Sequence, residues 1–262
     1  RQRQMCIRDR GMGMFGQGFV GKLAFPSANV SDRLEKTFTS VNFNMMIMII
    51  YALITIAIFG MWYYARYEGN FLPSPKKSFN PMMIVAIVIL VPGTQFAANF
   101  IANLTGYIRP DWLQQYNELF ETSGITDTTF VTVLYSVILA PICEELIFRG
   151  VTMRCARKAL PFALANLMQA ALFGLFHLNW IQGIYAFALG IVLGYVCERG
   201  GSIYYSMGLH LLFNLWGTLS GFFPDPGNSV VVFVVVIVVT IVSLVAGFVL
   251  FNNCLLYTSP SP

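Results

Sequence analysis

The chain has 262 residues, of which 56% are hydrophobic and only 11% are charged. Because soluble domains carry about 25% charged residues, this composition excludes an ordinary soluble protein and indicates a membrane protein. The first ten residues contain four arginines and one aspartate, so they account for +3 of the formal net charge of +4. The rest of the chain is close to neutral and gives no indication of a nucleic-acid partner.

Both ends of the sequence differ in character from the rest of the chain. Residues 1–10 and 253–262 resemble translated sequencing-adapter read-through, and we leave them out of the fold prediction. Between them we expect an N-terminal surface segment at 11–40 and a transmembrane domain at 41–252, with its motif core at 130–217. The five cysteines show neither paired nor metal-ligand spacing, so we interpret them as fillers of apolar packing.

Apolar runs follow one another along the chain, each close to the roughly 20 residues that a helix needs to cross a bilayer. They lie at 41–64, 81–104, 128–153, 162–179, 181–197, 202–219 and 230–251. The last run is rich in Val and Ile, which favour strands in water, but a lone strand cannot satisfy its backbone in lipid. The sequence therefore predicts an all-α, polytopic membrane helix bundle of about seven transmembrane helices.

Basic residues concentrate in alternate connections between these runs. The connections at 65–80, 154–161 and 198–201 are rich in Lys and Arg, whereas those at 105–127 and 220–229 contain only Arg109. By the positive-inside rule we expect the first group to face the cytoplasm, in an integral protein of a bacterial inner membrane. Between the second and third runs, the apolar spacing from Pro110 to Glu121 predicts an interfacial amphipathic helix.

One apolar run contains three ionisable side chains, in the stretch PICEELIFRG from Pro141 to Gly150. If unpaired, three charges near the bilayer centre would cost roughly 8–10 kcal/mol. On a helix that turns about 100° per residue, Glu145 and Arg149 lie on one face at i and i+4 and can neutralise each other. Glu144 points about 100° away and is expected to remain the unpaired acid. We expect the helix to continue past Arg149 to the basic cluster at 154–158.

The only two histidines of the chain lie in later apolar runs. His177 follows Phe173 by four residues and Asn214 follows His210 by four, so each pair shares one helical face. Ionisable residues inside a membrane are functional candidates by default. Together with Glu144, they predict an active site within the membrane. A buried carboxylate and an imidazole suit the activation of water, and an amide with a ring N–H suits the stabilisation of an oxyanion.

Three motifs, EExxxR at 144–149, FxxxH at 173–177 and HxxxN at 210–214, resemble in this order those of the CAAX prenyl protease and bacteriocin-processing family of intramembrane endopeptidases. The resemblance spans Phe130 to Trp216. It implies a glutamate-type endopeptidase, without a cofactor, that cleaves a membrane-associated or lipidated protein or peptide.

The resemblance also implies a role for each motif residue. Glu144 and His177 would activate a water, and His210 and Asn214 would stabilise the oxyanion. Glu145 with Arg149 would support the site.

Two other functions remain open at this stage. Glu144, His177 and His210 form a legitimate zinc ligand set, which would make the protein a metalloprotease. Alternatively, the polar groups could belong to a non-catalytic scaffold or transporter. Phe173 is a candidate for lining a substrate cavity, although packing is its simpler interpretation. Gln95, Asn99 and Asn103 form a polar stripe that could line the same cavity or join helices. The expected partners are a peptide or protein substrate and the lipid bilayer, with no nucleic acid.

Overall fold

The computed structural model describes Asp32 and residues 41–68, 80–123, 129–220 and 229–258. The chain divides into two compact units, residues 1–50 and 51–262. The described part of the first unit is Asp32 and the start of helix α1. The predicted artefact at 1–10 lies outside the described residues, as does the surface segment at 11–40 apart from Asp32. Every side chain discussed below belongs to the second unit.

The described residues form eight helices. They are α1 (Val41–Tyr63, continued by a π-helical turn at Tyr64–Glu68), α2 (Pro81–Ile108), α3 (Pro110–Ser123), α4 (Phe130–Ala156), α5 (Phe162–Phe176), α6 (Trp180–Gly200), α7 (Ile203–Ser220) and α8 (Val230–Thr258). Each predicted apolar run is helical, including the Val-rich α8, which confirms the predicted polytopic helix bundle. Helix α8 continues through the segment 253–258, whose predicted adapter origin stays a prediction.

Five helices, α1, α2, α4, α6 and α8, are long and apolar enough to cross a membrane. Helix α5 is apolar but has only 15 residues, and α7 has 18 residues that include His210 and Asn214. The protein is therefore an integral membrane protein, as predicted, in which α5 and α7 are shorter or more polar than their neighbours. The bacterial inner membrane stays a prediction.

Helix α4 carries the acidic motif and changes its winding on both sides of it. The stretches Leu134–Leu139 and Leu146–Met153 are π-helical, and an α-helical segment, Ala140–Glu145, lies between them. Pro141 contributes to the first change because it has no N–H to donate to the preceding turn. The helix continues to Ala156, which confirms that it passes Arg149. Single-turn π-bulges often occur at functional sites, and these two flank the glutamates.

Helices α2 and α8 pack closely around Pro92, which lies inside α2. The Ser243 hydroxyl of α8 accepts a hydrogen bond from the Gly93 N–H at 2.8 Å and donates one to the Ile89 carbonyl. It thus pairs with an N–H and a carbonyl that lie four residues apart beside Pro92. A Cβ atom on Gly93 would lie 2.7 Å from the Ser243 Oγ, so glycine is needed for this approach.

Helix α5 ends three residues earlier than predicted, and this corrects the position of His177. The helix stops at Phe176, His177 is its C-cap, and Leu178 adopts a left-handed conformation with φ of 53°. Asn179 then caps α6 by accepting from the Gln182 N–H. The chain has to reverse between α5 and α6, and the reversal begins at Leu178. His177 therefore lies at the end of a helix, where its Nδ1 turns back to the Phe173 carbonyl of the last turn.

Candidate active site

The Glu145 and Arg149 side chains form an ion pair that is fully buried. Arg149 Nη1 donates to Glu145 Oε1 at 2.7 Å, and neither side chain has any exposed surface. The i, i+4 pairing expected from the sequence is therefore present, although the intervening backbone is π-helical. Arg149 Nη2 also approaches the Gly190 carbonyl at 3.4 Å, and the Arg149 guanidinium lies 4.4 Å above the Phe173 ring. These contacts hold the guanidinium in one orientation.

His210 lies between the two glutamates of the acidic motif. Its Nδ1 is 3.0 Å from Glu145 Oε1, and its Nε2 is 3.6 Å from Glu144 Oε2. Because Glu145 is already paired with a guanidinium, its carboxylate is ionised and can only accept, so His210 Nδ1 must carry a proton. The nitrogen that faces Glu144 is therefore Nε2.

Glu144 is not the unpaired acid that the helical spacing predicted, because its carboxylate faces His210. The separation of 3.6 Å is within ion-pair range but longer than a direct hydrogen bond. The Glu144 side chain keeps 17% of its surface exposed, whereas Glu145 is fully enclosed. Of the two adjacent carboxylates, only Glu144 can thus be reached by a water or a substrate. The rotation of α7 against α4, which no sequence spacing reveals, creates this contact.

His177 packs against the Phe173 ring. Its Nδ1 lies 2.8 Å from the Phe173 carbonyl, and a carbonyl can only accept, so this nitrogen carries the proton and Nε2 is left bare in the neutral ring. The Phe173 ring meets the His177 ring edge-on at 4.9 Å and the His210 ring at 5.7 Å. Among the described contacts, the proposed partners Glu144 and His177 make no hydrogen bond to each other. Phe173 thus contacts both imidazoles and is buried packing at the centre of the site.

Asn214 makes a contact that the motif did not predict. Its Nδ2 donates to the Ser136 carbonyl of α4 at 2.8 Å. Ser136 lies five residues before Pro141, and proline has no N–H to complete a π-helical bond to this carbonyl. The Ala140 N–H bonds Tyr135 instead. The amide therefore satisfies a carbonyl in the interrupted part of α4, and one of its two N–H groups remains for another acceptor.

The predicted polar stripe of α2 is not brought into hydrogen-bond contact with the glutamates and histidines. Gln95 is buried, and its Nε2 lies 3.5 Å from Asn99 Oδ1. Asn99 and Asn103 are exposed, and Asn103 Nδ2 donates to the Asn99 carbonyl within the same helix. A cavity-lining role for these three residues stays a prediction.

Two buried amides beside the site were missed from the sequence. Gln169 and Asn166 of α5 lie next to Gly190, whose carbonyl Arg149 also approaches. A signal was available for Gln169, because it precedes Phe173 by four residues and His177 by eight and so shares their helical face. Asn166 precedes Gln169 by three residues and Phe173 by seven, so it lies on the same face.

The zinc hypothesis requires three ligands around one point. Among the described residues, no three His, Cys, Asp or Glu side chains are grouped so that they could hold a metal ion. Glu145 Oε1 is already shared by Arg149 and His210 Nδ1, which leaves Glu144 and His210 Nε2 as the adjacent donors. The expectation that the protein needs no cofactor and the zinc alternative both stay predictions, which metal analysis of the purified protein can test.

Comparison with known protein families gives a match that covers this part of the chain. Residues 126–216 match the family model described as type II CAAX prenyl endopeptidase Rce1-like. No curated protein and no solved structure matches the chain. The matched segment contains all three motifs, which confirms the family resemblance drawn from them. The match supports an endopeptidase of the CAAX type that acts in a membrane on a protein or peptide.

Proposed function

We propose that the protein is an intramembrane endopeptidase in which Glu144 activates the water that hydrolyses a peptide bond. One observation carries this proposal. Glu144 is the partly accessible carboxylate of a buried cluster, and it faces a histidine nitrogen whose partner nitrogen is already committed to Glu145. A base in this position can accept a proton from water while the neighbouring imidazole keeps a positive charge close to the reacting carbonyl.

Charge balance within the buried cluster supports one further proton in the resting state, beyond the one on His210 Nδ1. Glu144, Glu145 and Arg149 carry a net negative charge when both carboxylates are ionised. A second proton on His210 makes the group of four neutral, and neutrality is favoured in a low-dielectric site. We place this proton on His210 Nε2, so the resting pair is the Glu144 carboxylate beside a His210 imidazolium.

The reaction follows from that resting state. Glu144 takes a proton from water as the water oxygen bonds to the peptide carbonyl carbon, and the carbonyl oxygen becomes an oxyanion. His210 Nε2–H and the remaining N–H of Asn214 are the candidate donors to this oxygen. The protonated Glu144 then gives its proton to the leaving nitrogen as the C–N bond breaks. The products are a carboxylic acid, which ionises, and an amine.

His177 has a different position in this scheme from the one that the family resemblance implies. Its Nδ1 is committed to the Phe173 carbonyl, so Nε2 is the acceptor suited to orient the attacking water or the substrate, with Glu144 as the base. The substrate class is a membrane-associated or lipidated protein or peptide. A site flanked by membrane-spanning helices favours a substrate that reaches it from the bilayer.

The test compares membranes that contain the wild-type protein with membranes that contain Glu144→Gln. We expect mass spectrometry to find cleavage products with the wild type alone. Products that persist with the variant would overturn Glu144 as the base, and their absence from both would favour the scaffold or transporter alternative. Activity that is lost on chelation and restored by zinc would favour the metalloprotease alternative.

A further inference from the structure

A second buried polar cluster adjoins Arg149 and has no part in the reaction described above. It is formed by Asn166 and Gln169 of α5 with the backbone carbonyls of Gly190 and Ile191 in α6. Gln169 Nε2 donates to the Gly190 carbonyl at 2.8 Å and to Asn166 Oδ1 at 2.7 Å. Asn166 Nδ2 donates to the Ile191 carbonyl at 3.0 Å. The Gln169 side chain is fully buried, and 5% of Asn166 is exposed.

The backbone carbonyls of Gly190 and Ile191 determine which atom donates in every hydrogen bond of this cluster. The Ile191 carbonyl can only accept, so Asn166 must present Nδ2 to it and Oδ1 to Gln169. Gln169 must then present Nε2, and the same nitrogen reaches the Gly190 carbonyl. That carbonyl is also approached by Arg149 Nη2 at 3.4 Å. A continuous series of polar contacts therefore runs from the two amides through Arg149 and Glu145 to His210 Nδ1.

We infer that Gln169, supported by Asn166, is a positioning residue for His210. This inference rests on the proposed function. Gln169 holds the Gly190 carbonyl, and that carbonyl limits where the Arg149 guanidinium can lie. Arg149 in turn holds Glu145, whose carboxylate keeps the proton of His210 on Nδ1 and turns Nε2 towards Glu144. Gln169 touches neither glutamate and acts through Arg149.

Two further observations favour positioning over a simple link between α5 and α6. Gln169 Oε1 is buried and has no hydrogen-bond partner among the described residues, whereas an amide that only joined two helices would be expected to satisfy both ends. Helix α6 also has glycine where the amides approach it. A Cβ atom on Gly194 would lie 2.7 Å from Gln169 Nε2. The absence of a side chain there lets the amide reach the backbone beside Arg149.

The consequence of removing the amide is a movement of the guanidinium. Gln169→Met removes both donated hydrogen bonds at similar volume, so the Gly190 carbonyl becomes free to accept Arg149 Nη2 more closely. Arg149 is then drawn away from Glu145, and the hydrogen bond between Glu145 and His210 loses its fixed geometry. Loss of a group that orients a residue of an active site typically costs about tenfold or more in activity. We therefore expect kcat to fall on the order of tenfold, with KM within about twofold of the wild type.

The decisive measurement is nitrogen NMR of protein labelled only at histidine. The chain has two histidines, so the spectrum contains two rings, and a His177→Ala sample assigns them. In the wild type we expect Nδ1 of both rings to be protonated. Gln169→Met should shift or broaden the His210 Nδ1–H signal and leave that of His177 in place. Asn166→Ala should change the His210 signal in the same direction, but less.

Ser243→Ala is the matched control, because it removes a buried hydrogen bond between helices that are not part of this cluster. It should lower stability without moving either histidine signal or changing kcat. The inference is overturned if Gln169→Met loses stability while the His210 signal and kcat stay as in the wild type. If Gln169→Met does not fold, an unchanged His210 signal in Asn166→Ala overturns it. The NMR result is independent of cleavage, so a wild type that cleaves nothing refutes the proposed function and leaves this test intact.

Discussion

The buried ion pair between Glu145 and Arg149 gives the strongest prediction about stability. Arg149→Met keeps an unbranched side chain of similar length but removes the charge, so the fully buried Glu145 carboxylate loses its partner at 2.7 Å. Leaving one member of a buried pair uncompensated costs about 3–5 kcal/mol. The variant also loses the guanidinium contact with the Phe173 ring at 4.4 Å, which contributes on the order of 1 kcal/mol.

A matched control exists on the surface of the same protein. Arg157 pairs with Glu198 at 3.0 Å, but the two side chains are 35% and 31% exposed. Solvent-exposed pairs contribute about 0.2–1 kcal/mol, so Arg157→Met should cost far less than Arg149→Met. The double variant Glu145→Gln with Arg149→Met removes both charges and should recover part of the loss, because no buried charge then remains unpaired.

The measurement is the free energy of unfolding of the detergent-solubilised protein, with Glu144→Gln as a second reference. We expect Arg149→Met to lose at least about 2 kcal/mol more than either Arg157→Met or Glu144→Gln. The reasoning is refuted if Arg149→Met is as stable as either of them. It is also refuted if the double variant is less stable than both single ones, since the cost would then not come from an unpaired charge.

Three further predictions follow from individual contacts. Glu144→Gln should lower the cleavage rate by about 10²–10⁴ with little loss of folded protein, which a rate assay and size-exclusion chromatography would check. Asn214→Ala should lower kcat by about 10²–10³ with little change in KM, and a raised KM with unchanged kcat would assign Asn214 to substrate binding. Asn214→Asp should be worse in both activity and stability, because a carboxylate would face the Ser136 carbonyl. Ser243→Ala should cost about 1–3 kcal/mol of unfolding free energy through the Gly93 N–H that it leaves without its partner, and unchanged stability would argue against that contact.

Much of the architecture could be predicted from the sequence because bilayer burial imposes strong and local constraints. The apolar runs predicted the helices, and the need to pair backbone groups in lipid correctly overruled the strand preference of the Val-rich run at 230–251. The basic cluster after Arg149 correctly indicated that α4 continues to Ala156. The end of α5 at Phe176 was missed, because the left-handed turn at Leu178 depends on how α6 packs back against α5, and neither residue is a typical helix stop.

In the candidate site, too, contacts within one helix could be predicted and contacts between helices could not. The pairing of Glu145 with Arg149 could be predicted because it lies within one helix, where the turn of the backbone sets which residues meet. The same reasoning could not predict the partner of Glu144, which is a residue on another helix. Nor could it predict that Asn214 satisfies a carbonyl beside Pro141, because that contact depends on a local π-helical change in α4.

The sequence by itself thus determined that the chain is a membrane helix bundle and that Glu145 and Arg149 pair with each other. It also made Glu144, His177, His210 and Asn214 the candidate residues for chemistry. Only the tertiary structure decided which of them meet. It places His210 between Glu144 and Glu145, packs His177 against Phe173, and joins buried amides of α5 to Arg149 through the Gly190 carbonyl. The physical reason is that contacts between helices depend on their rotation and crossing, which packing over the whole bundle decides, whereas contacts within a helix repeat with its own turn.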